Sequence, residues 1–445
     1  MSAIQNPNRA LLIIGAGPAG LSAALAAANA GWQITVVDDN PAPGGQIWRS
    51  GPGAAPSAPS QRLRAALAAC PDVRLVCGTR VVAAQGANAL LLEDAQRAWI
   101  QTFDALILCT GARELLLPFP GWTLPGVTGA GALQALIKGG LPVRGQRIVL
   151  AGSGPLLLAA AASARSAGAH VLCVAEQASA TQIAGFAAGL WRWPGKALQA
   201  LGLLTARYRS ATHVIAAQGA AQLESVQLRH GERVETLACD RLAVGFGLVP
   251  NAEPGRLLGC ATAQDVDGKT VLAVDARQAT SLPGVFAAGE CTGAGGVELS
   301  MAEGRIAGLA ATGQTVPQPA LAERADWAAF ARRLAQHFSL SPALKSWRKQ
   351  TPFFAAVKTW PTRLSPPAAA GPRPNWPPAA AWAPARAGSA AQRRSICGAG
   401  KRPPRARRFR PRAWARSAAW PRAHHVLFPQ PLTRHAHEHP YATPG

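Results

Sequence analysis

The sequence predicts an α/β chain with two parallel-sheet domains, followed by a basic tail without regular structure. Three observations predict it. The apolar run Leu11-Leu12-Ile13-Ile14 leads straight into Gly15-Ala16-Gly17-Pro18-Ala19-Gly20 and then into an Ala- and Leu-rich segment. The same order returns at Arg147-Ile148-Val149-Leu150-Ala151-Gly152-Ser153-Gly154-Pro155. Beyond about Leu344 the acids almost vanish, and Pro, Ala, Arg and Trp dominate.

In the first unit, the run 11–14 suits a parallel strand buried on both faces. Residues 21–30 predict a helix ended by Gly31, and Ile34 to Asp38 predict the next strand. Each position in the turn has a physical task. Gly15 permits the tight turn, Gly17 lets the backbone approach a pyrophosphate, and Gly20 lets the helix pack closely on the strand. The helix opens at Pro18-Ala19 with free N–H groups and a positive dipole end, which suits phosphate. Asp38, with Asp39 beside it, closes the strand where an acid can accept ribose hydroxyl hydrogens. Strand, loop, helix, strand and acid in this order mark a dinucleotide site.

The second unit departs from that pattern. Val171 to Glu176 predicts its second strand with an acid at the end, but the third glycine position is Leu157. A helix starting there cannot pack as closely on the strand. Two readings stay open. Gly152, Gly154 and Glu176 could hold NAD, with Glu176 suiting its 2′-hydroxyl and repelling the 2′-phosphate of NADP. Alternatively the fold is retained without a ligand.

Composition narrows the function classes. The chain has 445 residues and 49% hydrophobic content, enough for two or three domains. No apolar run is long enough to span a bilayer, and residues 11–14 are too short for a signal-peptide core, so the expected location is cytoplasmic. The eight cysteines include no CxxC or CxxxxC pair, which argues against a redox disulfide and a zinc knuckle. The net charge of +23 suggests nucleic acid, but its location does not. From Ser341 onward there are 19 Lys and Arg and one acid, Glu438, so the tail carries +18 and the rest +5. Specific nucleic-acid binding is therefore not expected.

Pro43-Gly44-Gly45-Gln46-Ile47-Trp48-Arg49 follows the first acid and carries a family resemblance. It resembles two-dinucleotide-domain, glutathione-reductase-like flavoproteins. Within these it is similar to the large subunits of opine oxidases, a subunit of hydrogen cyanide synthase, and subunits of proline and hydroxyproline dehydrogenases. Three later stretches match in chain order. Leu106 to Arg113, with Thr110-Gly111, looks like the first crossing between domains. Gly245 to Asn251 looks like the second. Ser281 to Glu290 resembles the second FAD motif, with Glu290 where the family usually has Asp. Gly295-Gly296 then opens a helix whose N-terminus, in the family, points at the flavin.

The resemblance implies two interleaved Rossmann-like domains. An FAD domain would combine residues 1–120 and 245–315, a second domain 121–244, a helical connector 316–344, and the basic tail 345–445. It carries over as FAD contacts Gly15, Gly17, Pro18, Ala19, Gly20, Asp38, Asp39, Gly45, Gln46, Arg49, Val81, Thr110, Gly111, Gly289, Glu290 and Gly296. No catalytic base is marked by its sequence context.

The tail has a further feature. Read one base earlier, the codon skeletons of 354–360 and 381–390 can spell Cys-x-Cys and Cys-x4-Cys. These resemble the [2Fe–2S] domain that follows the flavin domain in this family. A [2Fe–2S] cluster is expected only with that frame restored, because the chain as written lacks those thiolates. The expected function is an FAD-dependent, electron-relaying subunit of a multi-subunit amine or imino-acid dehydrogenase. A substrate-oxidising flavoprotein subunit would be its partner. A stand-alone NAD(P)H-dependent flavin reductase and a non-catalytic binding protein using the tail remain alternatives.

Overall fold

The computed structural model describes residues 9–204, 207–342 and 344–345. These belong to one compact unit. The basic tail beyond Lys345 and the displaced cysteine blocks lie outside the described residues.

The first half of the fold begins with β1 (Ala10–Ile14), α1 (Pro18–Ala27), β2 (Gln33–Asp38), β3 (Val73–Cys77) and β4 (Ala105–Leu108). β1 lies between β2 and β4, with all pairs parallel. Leu11, Leu12 and Ile13 are almost fully buried, as a strand covered on both faces requires. A three-stranded antiparallel sheet (Arg80–Ala84, Ala89–Glu93, Ala98–Thr102) is inserted between β3 and β4.

The chain then builds a second copy of this plan: β5 (Val127–Gly129), α2 (Ala130–Lys138), β6 (Arg147–Gly152), α3 (Leu156–Ser166), β7 (His170–Glu176), β8 (Tyr208–Arg209) and β9 (Arg241–Gly245). The sheet order is β8-β7-β6-β9-β5, all parallel. Another antiparallel three-stranded sheet sits between β8 and β9. The chain finally returns through β10 (Val285–Ala287), which completes the first sheet beside β4. Helices α4 (Gly296–Ala311) and α5 (Gln318–His337) follow. The two sheets are thus the same device, and the first is interrupted by the whole of the second.

Two antiparallel segments carry the chain across: Ala112–Glu114 pairs with Leu248–Pro250. Asn251 locks them by donating from Nδ2 to the Thr110 carbonyl at 2.9 Å, while Thr110 Oγ1 donates to the Asn251 carbonyl at 2.7 Å. The segments expected to cross between domains are therefore hydrogen-bonded to each other. One boundary differs from expectation. α1 stops at Ala27 rather than running to Ala30, because Asn29 adopts the left-handed conformation (φ 62°), which Asn tolerates, before Gly31. Among the described residues no helix is long and apolar enough to cross a membrane.

Candidate cofactor-binding cleft

The first glycine turn is shaped by close backbone approaches. Gly15 has φ 106°, and a Cβ there would collide with the Cys109 carbonyl at the end of β4. A Cβ on Gly20 would collide with the Gly15 carbonyl and touch Ile13. Gly17 is different. A Cβ there would meet only the Gly45 Cα, at an ordinary contact distance of 3.9 Å, while a Cβ on Gly45 would lie 3.0 Å from the Gly17 Cα. α1 begins there with no side-chain cap, and Pro18 occupies its first turn. The N–H groups of that first turn are not spent on a side-chain cap, as a pyrophosphate seat requires, and Gly17 and Gly45 let the two backbones pack closely beside it.

Asp38 is buried and holds this turn in place. Its Oδ2 accepts from the Ala16 N–H at 2.6 Å, and its Oδ1 accepts from the Asn40 N–H and Nδ2 at 2.8 and 2.7 Å. Asp39 is exposed beside it. The carboxylate expected to read a ribose is thus first of all the brace of the glycine loop. Arg49 donates from Nη2 to Asn40 Oδ1 at 2.7 Å and to Gln46 Oε1 at 3.1 Å, which groups Gln46, Arg49 and the acid loop. Arg49 Nε has no hydrogen-bond partner. Val81 lies at a bulge in the inserted sheet, half-buried.

The second FAD motif meets the first from the other side. Gly289 (φ 81°) sits against Ala19, so close that a Cβ would lie 2.8 Å from the Ala19 Cβ. The Gly289 N–H donates to Glu303 Oε2 at 2.9 Å, and Thr292 Oγ1 donates to the same oxygen at 3.0 Å. Burial pushes the Glu303 carboxyl above the usual range. Glu290 is half-buried and has no hydrogen-bond partner among the described residues; burial raises its pKa to about 7. Gly296 (φ 86°) opens α4 without a side-chain cap. The acid in the first turn of α4, Glu298, sits favourably in the helix dipole and is paired with Lys196 at 2.7 Å, so its charge does not cancel the positive field at the helix start.

A cleft of about 1110 Å³ lies beside these parts; Ser153, Gly154 and Pro155 of the second glycine loop line it, while Gly15, Gly17, Asp38 and Gly289 do not. Gln46 and Ile47 line it on one side, Arg113 and Asn251 at the crossing, Glu290 and Gly296 at the α4 end. Thr110 and Gly111 stand at the crossing beside Asn251. Sequence reasoning missed Glu303, Glu114 and Arg64. Glu114 caps α2 by accepting from the Gly131 and Ala132 N–H groups at 2.8 and 2.9 Å. Arg64 has Nε and Nη2 buried without hydrogen-bond partners, its Nη2 packed against Gly44.

The second glycine loop has the same frame and a different outcome. Gly152 sits against the Gly245 carbonyl as Gly15 sits against Cys109. Glu176 is fully buried, not turned toward a ligand. It accepts from the Gly154 N–H at 2.7 Å and the Ala178 N–H at 2.8 Å, and burial raises its pKa to about 7. One methylene longer than Asp38, it reaches one residue further round the loop. It takes the N–H whose counterpart at Gly17 stays free. Leu157 is fully buried against Gly245 and Ala130. Gly152, Gly154 and Glu176 thus keep both readings open: the Gly154 N–H is already bonded to Glu176, while Ser153, Gly154 and Pro155 line the cleft.

The family model described as pyridine nucleotide-disulphide oxidoreductase matches residues 9–324. The chain belongs to this family. It is an oxidoreductase of the FAD/NAD(P)-dependent class and a flavoprotein by descent. The HcnB subunit of the hydrogen cyanide synthase of Pseudomonas aeruginosa is 31% identical over 67% of this chain and 69% of its own length. The opine oxidase A-subunit of Rhizobium meliloti is 31% identical over 75% and 79%. Among solved structures, the L-proline dehydrogenase of P. horikoshii superposes with a TM-score of 0.50, at 16% identity, over 75% of this chain and 60% of that one. That last likeness concerns the fold alone. The seven cysteines among the described residues are all free, so no disulfide stands at the cleft of this family member.

Proposed function

We propose that the chain is the FAD-bearing, electron-relaying component of a multi-subunit dehydrogenase for amine or imino-acid donors. The observation that carries the FAD reading is the uncapped start of α1 at Gly17, its first-turn N–H groups free of a side-chain cap where the Gly45 backbone approaches closely. In this reading Gly15, Gly17, Pro18, Ala19, Gly20 and Gly45 shape the pyrophosphate seat. Asp38 braces it, with Asp39 at its mouth and Val81 beside the adenine end. Gln46, Arg49, Thr110 and Gly111 face the flavin end, Gly289 and Glu290 the ribityl chain, and Gly296 the ring. FAD supplies conversion between two-electron donors and one-electron acceptors.

The residues of the chain bind, orient and tune. The start of α4 directs free N–H groups and a positive dipole end toward charge that builds on reduction. Lys196 neutralises Glu298 so that this field is not cancelled. Glu290, with a pKa near 7, can hold or release a proton at its carboxyl at neutral pH. The names of the opine oxidase and hydrogen cyanide synthase relatives support the subunit role. With the earlier frame restored, a [2Fe–2S] cluster would extend the relay.

The test is to load the full chain with FAD and mix it anaerobically with L-proline, octopine or NADH. We expect stoichiometric FAD binding and no flavin bleaching by any of the three alone. Failure to bind FAD overturns the flavin reading. Bleaching by an amine without a partner overturns the relay reading.

A further inference from the structure

α5 straps the two halves together. Its first half is tied to the FAD side: Glu323 pairs with Arg305 at 2.9 Å, and Arg324 lies 3.7 Å from Glu303. Its second half is tied to the second domain. Asp326 accepts from Arg192 and from Trp193 Nε1 at 2.9 and 2.8 Å. Phe330 meets Trp193 edge-on at 5.2 Å, and Arg333 donates to the carbonyls of Gly185 and Phe186.

Beyond His337 the chain runs over the second glycine loop. Ser153 Oγ donates to the Phe338 carbonyl at 2.7 Å. Gln177 reads the next residues from both ends of its amide: Nε2 donates to the Ser339 carbonyl at 3.0 Å, and Oε1 accepts from the Ser341 N–H at 3.0 Å. Gln177 Nε2 also donates to Ser153 Oγ at 3.1 Å. The Phe338 side chain lies over Gly154, where a Cβ would meet it at 3.8 Å. Leu344 is fully buried in the second-domain core with Val149, Ala175 and Phe246.

We infer that the second glycine loop is a docking site for the chain's own segment, residues 338–342 with Leu344, and not a dinucleotide site. Three facts converge. The Gly154 N–H is consumed by Glu176, the polar groups of Ser153 and Gln177 are consumed by the segment, and Leu344 anchors the segment in the core. A tethered ligand acts at an effective concentration that a free dinucleotide must overcome. The segment also fixes the orientation of the second domain, since α5 leads into it directly from the FAD side. The inference goes beyond the proposed function and does not depend on FAD.

The experiment is hydrogen–deuterium exchange on the full chain without FAD, with and without about 1 mM NAD+. The variants are Leu344→Asp and Gln177→Ala. In the wild type the Gly154 and Ser341 amides should be protected, and NAD+ should leave them unchanged. Either substitution should speed Ser341 exchange about tenfold or more. Gln177→Ala removes no core side chain, so it keeps the test intact where Leu344→Asp fails to fold. Saturable NAD+ binding that protects residues 152–154 of the wild type overturns the inference. So does unchanged Ser341 exchange in a folded Gln177→Ala protein.

Discussion

Gly304→Ala tests the contact that joins the two FAD motifs. α4 crosses α1 with Gly304 and Gly308 against the backbone of Ala19 and Ala23. A Cβ on Gly304 would lie within 3.0 Å of the Ala19 O, C and Cα atoms, and real Cβ contacts essentially never come closer than 3.0 Å. Backbone cannot rotate away, so the helices must separate. Overpacking of this kind costs about 1–3 kcal/mol, and the rigid partner places it near the upper end. Alanine returns about 0.5–1 kcal/mol of helix propensity. The net loss is about 1–2 kcal/mol, or a fall in Tm of about 1.5–3 °C for a unit of this size. α1 carries the pyrophosphate seat at its start, so FAD affinity should fall with it, by about tenfold. The control is Gly202→Ala in the helix Pro194–Leu203, where nothing lies within 4 Å of the new Cβ. That variant should be neutral or stabilised by about 0.5 kcal/mol. Thermal unfolding and FAD titration read both effects. A Gly304→Ala protein within about 0.5 kcal/mol of wild type and with undiminished FAD affinity would refute the close-packing argument.

Three further outcomes are expected. Glu290 has a folded pKa of about 7 against a usual 4.5, so the folded state holds a proton that the unfolded state releases between those values. Its contribution is present below about pH 4.5 and is lost as pH rises through about 7. Glu290→Gln should therefore match wild type in urea unfolding of the FAD-free protein at pH 4.5 and exceed it by about 2–3 kcal/mol at pH 8; a pH-independent difference contradicts the burial account. Arg64→Met should leave the FAD-free protein as stable or more so, because it removes buried unpaired N–H groups, yet lower FAD affinity about tenfold; unchanged affinity removes Arg64 from the site. Asn251→Ala leaves the Thr110 carbonyl without its donor at the crossing and should cost about 1–3 kcal/mol by denaturant unfolding, a loss that Asn251→Asp cannot restore because it has no N–H to give.

Much of this fold was legible because its signals are local. The strand at Leu11–Ile14, the glycine turn and the helix after it are neighbours in sequence, and steric needs at Gly15 and Gly20 are met within one turn. The crossing segments were legible for the same reason, as strand endings followed by Thr110-Gly111 or Asn251. What escaped is long-range. Glu303 reaches Gly289 only once α4 packs on β10, and Arg64 reaches Gly44 only once its helix (Ala58–Ala68) folds against the loop. Glu176 stayed open to two readings for a related reason. An acid at a strand end looks alike in both units, and its burial is set by Tyr208, Ala178 and the loop it braces.

The two units show how small a change separates a cradle from a closed loop. Both place an acid at the end of the second strand, and both acids accept an N–H from the glycine turn and another from two residues beyond themselves. With Asp38 the braced group is Ala16, and the next N–H, at Gly17, is left for a ligand. With Glu176 the added methylene moves the brace to Gly154, so the equivalent N–H is spent. Leu157, in place of a third glycine, fills the gap between helix and strand that close packing would have closed. A loop with that N–H already satisfied offers a diphosphate one donor fewer than the first loop does. It does still present Ser153, and Gln177 beside it, to a peptide backbone. Residues 338–342 meet this loop through Ser153 Oγ and the Gln177 amide, so in the inferred docking the segment takes the polar groups that Glu176 leaves unused.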